Sequence, residues 1–123
     1  MGILSSYTQD EQQRMKETAC RLVEARLYAG KLAESEAAIK AAMPQAFKEA
    51  IPVVLTLDEC MARLPHYEVV PQQRIREIAT QLIEGQLVNG KVADNEESIK
   101  AATRQAVNDA RQAVVAVEEY LCG

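Results

Sequence analysis

Few side chains in this sequence could do chemistry, and they are scattered. Adjacent carboxylates occur at Asp58-Glu59, Glu96-Glu97 and Glu118-Glu119, and the single histidine is His66. Paired carboxylates hold a hard cation only where several oxygens converge, and neighbours on a helix point in different directions. A di-iron bundle would also need Glu-x-x-His motifs, which one histidine cannot supply. These carboxylates therefore read as solvated helix faces. A nucleophilic cysteine needs a base within reach. Cys20 and Cys60 lie beside apolar positions, with no histidine nearby in sequence, and are expected to be buried, inert thiols. Cys122 is next to the last residue, where an exposed thiol is open to oxidation. Three cysteines without metal spacing argue against a disulfide framework and for a reducing, cytoplasmic setting.

Gly30-Lys31 and Gly90-Lys91 resemble fragments of a phosphate loop, but each pair follows an apolar-periodic segment, whereas a phosphate loop precedes a helix. A helix-ending glycine followed by a lysine that complements the helix dipole accounts for both pairs. The start, Met1-Gly2-Ile3-Leu4-Ser5-Ser6, fits the loose myristoylation pattern at Gly2. One acyl chain with no basic neighbours before Arg14 and Lys16 would hold a membrane weakly, so a plain start peptide is the preferred reading. No catalytic, cofactor or metal site is expected.

Composition narrows the function classes further. Of 123 residues, 48% are apolar and 26% charged, which suits one globular domain over residues 1–123. Lys and Arg total 14 against 18 Asp and Glu, for a net charge of −4. That balance disfavours a general polyanion binder, because phosphate neutralisation needs a basic surface. No apolar run reaches the roughly 20 residues that span a bilayer.

The elements that position these residues come in two similar sets. Residues 71–123 align without gaps on residues 11–63, with 21 of 53 positions identical. The matches include Gln12-Gln13-Arg14 with Gln72-Gln73-Arg74, and Ile39-Lys40-Ala41-Ala42 with Ile99-Lys100-Ala101-Ala102. Agreement of this kind predicts a tandem duplication joined by a linker over residues 64–70. Each copy reads as two helices. Thr8 and Glu11 have capping-box spacing, as do Asp94 and Glu97, and Pro71 suits a first helical turn. Apolar spacings of three and four place Met15, Ala19, Leu22, Val23 and Leu27 on one face, matched by Ile75, Ile78, Ala79, Leu82, Ile83 and Leu87. The second helices carry longer stripes, one from Ile39 to Met61 and one from Ile99 to Leu121. Pro44 and Pro52 interrupt the first of these, where their counterparts are Arg104 and Gln112. An interior proline removes a hydrogen bond and clashes with the preceding turn, so that helix is expected to kink or split.

A lone hairpin with one apolar face gains most by covering it. The predicted fold is therefore all-α: a four-helix bundle of two αα-hairpin repeats with pseudo-twofold symmetry. The favoured function is a non-enzymatic protein-binding module, a regulator, inhibitor or adaptor. Its candidate surface is Pro44, Phe47, Ile51, Pro52, His66 and Tyr67, around the proline break and the linker. A homodimer is expected through leftover apolar residues Tyr28, Ile51, Val53, Leu55, Val88 and Val115. Two readings compete with it. One is a DNA- or RNA-associated regulator using the first repeat, which balances eight cations against eight acids. The other is an enzyme whose site forms across a dimer interface.

Overall fold

The computed structural model describes residues 5–64 and 69–122. Among them the chain forms four helices and no strands: α1 (Gln9–Tyr28), α2 (Glu36–Arg63), α3 (Val69–Val88) and α4 (Glu96–Cys122). The chain divides into two compact units, Met1–Leu55 and Thr56–Gly123, with the division inside α2.

In the first unit, α1 begins with the expected capping box. The Thr8 hydroxyl accepts from the Glu11 N–H at 3.1 Å, and the Glu11 carboxylate accepts from the Thr8 N–H at 2.9 Å. Two N–H groups that a helix leaves without internal partners are satisfied at once. The helix ends on Gly30 at φ +72°, where the Gly30 N–H donates to the Leu27 carbonyl and the Lys31 N–H to the Arg26 carbonyl. Only a residue free of a Cβ takes that left-handed conformation without strain. Ser35 then caps α2, its hydroxyl accepting from the Ala38 N–H at 3.1 Å. Met15, Ala19, Leu22 and Val23 of α1 and Ala46, Ala50, Val53 and Val54 of α2 are buried. Tyr7, Phe47, Ile51 and Leu55 pack against the Met15–Val54 cluster.

A two-pronged ion pair ties the two helices of this unit together. The two terminal Arg26 guanidinium nitrogens, Nη1 and Nη2, donate to Glu49, at 2.7 Å each, and Glu49 is buried. Such forked geometry is the strong form of the arginine–carboxylate contact.

The second unit repeats the local chemistry sixty residues on. Gly90 sits at φ +69°, and the Gly90 and Lys91 N–H groups donate to the Leu87 and Gln86 carbonyls. Asn95 caps α4 by accepting from the Ser98 N–H at 2.8 Å. The cap is therefore one residue later than the Asp94–Glu97 spacing suggests, because the short Asn95 amide reaches the free N–H directly. Helices α3 and α4 pack on each other. Ile75, Ala79, Ile83 and Leu87 of α3 and Ile99, Ala106, Val107, Ala110 and Val114 of α4 are buried. Thr103 is buried too, which its hydroxyl tolerates by donating to the Ile99 carbonyl at 2.7 Å. Arg76 bridges to Asp58 at 3.1 Å.

Several expectations need correcting. Of the kink or split expected in α2, the split does not occur: the helix runs for 28 residues through both prolines. Each proline removes one backbone bond; at Pro52 the buried run Pro52, Val53 and Val54 lets packing hold the turn that the lost bond would otherwise hold. Helix α3 starts at Val69, with Pro71 in its first turn as expected. Residues 65–68 of the linker, and the segment bearing Gly2, lie outside the described residues. Leu82 is 38% exposed although its counterpart Leu22 is fully buried, so the stripe on α3 is narrower than its spacing implies. Cys20 is exposed, because it sits just beyond the edge of the buried α1 face.

Candidate functional site

Four of the six residues singled out from the sequence lie among the described residues, all of them on α2. Pro44 is exposed and Pro52 is buried. Phe47 and Ile51 are half-buried and spend their apolar surface on the Met15–Val54 cluster. His66 and Tyr67 lie outside the described residues. Of the residues expected to be left over for a dimer, Tyr28 is exposed and Ile51, Leu55, Val88 and Val115 are half-buried. Val53 is fully buried and has no surface to offer.

Three of the paired carboxylates meet cations. Asp58 meets Arg76, Glu59 meets Arg63 at 2.9 Å, and Glu96 meets Lys100 at 2.9 Å. The hydrogen bond and charge of Glu96 hold the Lys100 ammonium above the usual lysine range. No group of three or more possible metal ligands converges among the described residues. Cys60 is half-buried, and burial, reinforced by the neighbouring Glu59 charge, pushes its thiol above the usual range despite Arg104 and Arg63. A thiol so shifted is a poorer nucleophile at neutral pH, because less of it is thiolate.

Two of the surface grooves among the described residues have a markedly apolar lining. The first, about 750 Å³, lies at the corner where α1 ends and α2 begins. Leu27, Tyr28 and Ile39 give it an apolar lining, and Glu24, Glu34, Glu36 and Lys40 rim it. The second, about 330 Å³, lies between the start of α3 and the last turns of α4. Pro71, Ile78, Ala113, Val114, Val117 and Leu121 line it, with Arg74 and Glu118 at its edges. Val117, Tyr120 and Leu121 on this end of α4 are 55%, 86% and 76% exposed. The α4 stripe that is buried at Ile99, Ala106 and Val114 thus continues uncovered for two more turns. Sequence periodicity contains both halves of that stripe, and nothing in it marks where cover stops.

No helix among the described residues is long and apolar enough to cross a membrane. No family model matches the sequence, and neither the curated proteins nor the solved structures hold a match.

Proposed function

We propose that this chain is a non-enzymatic, cytoplasmic protein-binding module made of two copies of one helical hairpin, gathered as a four-helix bundle with pseudo-twofold symmetry. The duplication is supported by the 21 identities in 53 ungapped positions and by the same glycine-ended turn at Gly30 and Gly90. The observation that carries the binding role is the uncovered end of the α4 stripe. Sixty residues earlier, Val53, Val54 and Leu57 are buried; their counterparts are Ala113, Val114 and Val117, of which Ala113 and Val117 are exposed. Contiguous exposed apolar surface beside a groove marks interaction sites more often than inert surface. A partner helix laid along Val117 and Leu121, with its edge over Ile78, would complete the stripe.

The test is affinity capture from the native host with the whole chain and with a Val117→Ser/Leu121→Ser variant. Both positions are exposed, so the variant keeps its core. The reading expects a defined protein retained by the parent chain and lost from the variant. Equal retention by both overturns it.

A further inference from the structure

We infer that the groove at the α1–α2 corner is a docking site for a cationic, amphipathic segment of another polypeptide. It lies on the first hairpin and does not depend on the α4 face proposed above. The corner is open where its duplicate is closed. Leu27 and Ile39 are only half-buried, whereas the identical residues at the matching positions, Leu87 and Ile99, are 6% and 2% exposed. At the position held by Val88 in the second hairpin stands Tyr28, 92% exposed beside the groove. A volume of about 750 Å³ falls within the usual range of ligand sites, and an exposed tyrosine is a favoured contact residue at protein interfaces.

Charge selects the occupant. Three carboxylates, Glu24, Glu34 and Glu36, face one ammonium, Lys40, which is bound to Glu36 at 2.9 Å. The positive end of α2 offsets about half a charge, and Glu36 in its first turn already answers it. Glu24 on α1 and Glu34 in the turn before α2 therefore set the sign of the groove. Lysine or arginine side chains would meet these two, while an aliphatic or aromatic side chain between them would cover Leu27 and Ile39. A nucleic acid would be repelled by the same carboxylates. A bare polyamine would satisfy them but leave the apolar floor wet.

Fluorescence anisotropy of the full chain with a labelled lysine–leucine peptide, its leucines at helical spacing, tests this. Glu24→Gln/Glu34→Gln should weaken binding about tenfold, whereas Glu77→Gln/Glu119→Gln, the same charge change elsewhere, should weaken it less than about twofold. Replacing the peptide's leucines by serine should also cost about tenfold, and Val117→Ser/Leu121→Ser should leave binding unchanged. The inference is overturned if the parent chain does not bind the peptide, if both glutamine pairs weaken it equally, or if the serine peptide binds as well. It is likewise overturned if spermine displaces the peptide at equal concentration, or if the α4 variant loses it. Only that last result would move the site to the α4 face.

Discussion

Leu22 and Leu82 occupy matching positions in two nearly matching helices, and their environments differ completely. Leu22 has no exposed surface, so Leu22→Ala should destabilise the chain by about 2–5 kcal/mol as a cavity is left behind. Leu82 is partly open to solvent, and Leu82→Ala should cost only about 1–2 kcal/mol. Urea denaturation of both variants checks the pair, and equal midpoints would contradict the assignment. The cysteines offer a second contrast. Cys20 and Cys122 are exposed, while the Cys60 thiol is half-buried and held above its usual range. Raising the pH from about 7 to about 9 should bring Cys60 into reaction with iodoacetamide after the other two, since alkylation follows the thiolate. Peptide mapping of the labelled chain would refute this if all three reacted together.

Helix α2 carries the strongest local contradiction in the chain. Two interior prolines are expected to kink or split it, yet it continues for 28 residues. Pro44 is exposed, so its ring contributes little packing to offset the lost bond. Pro44→Ala should stabilise the chain by about 1–3 kcal/mol, the helix-propensity gain less the extra freedom of the unfolded chain. A fall in the denaturation midpoint would mean that the proline ring packs where its exposure says it does not. The same helix is held to α1 by Arg26 and Glu49. Glu49→Ala would leave Arg26 without its partner. The expected loss is about 2–3 kcal/mol, less than for a fully buried pair because Arg26 keeps some contact with water. The double change Arg26→Leu/Glu49→Leu should recover most of that loss, which separates an orphaned charge from lost packing.

At the scale of the molecule, apolar surface and net charge act against each other. The exposed Val117, Tyr120 and Leu121 favour association, and a charge of −4 opposes it at neutral pH. Dimer formation is therefore expected to strengthen as the pH falls towards the isoelectric point near 5.1. Light scattering should show the mass rising above 13.6 kDa with concentration, and Val117→Ser/Leu121→Ser should abolish the rise. A mass that stays at 13.6 kDa at every concentration and pH would exclude self-association through this face.

What could be read from the sequence alone is what depends on near neighbours. The capping box at Thr8 and Glu11, the glycine stops at Gly30 and Gly90, the Glu36–Lys40 and Glu96–Lys100 pairs and the four helices all follow from residues within four or five positions of one another. Hydrogen bonds of the backbone and the 3.6-residue period make such features local. Exposure is not local. The same period that buries Leu22, Val54 and Ile99 predicts burial of Leu82, Val117 and Leu121, which are exposed. Likewise, the split expected of α2 does not occur at Pro52, where the following residues are buried. Whether an apolar side chain is covered depends on surfaces brought from distant parts of the chain. Only the tertiary structure could decide that the α1–α2 corner stays open, that the end of α4 stays bare, and that α2 stays whole.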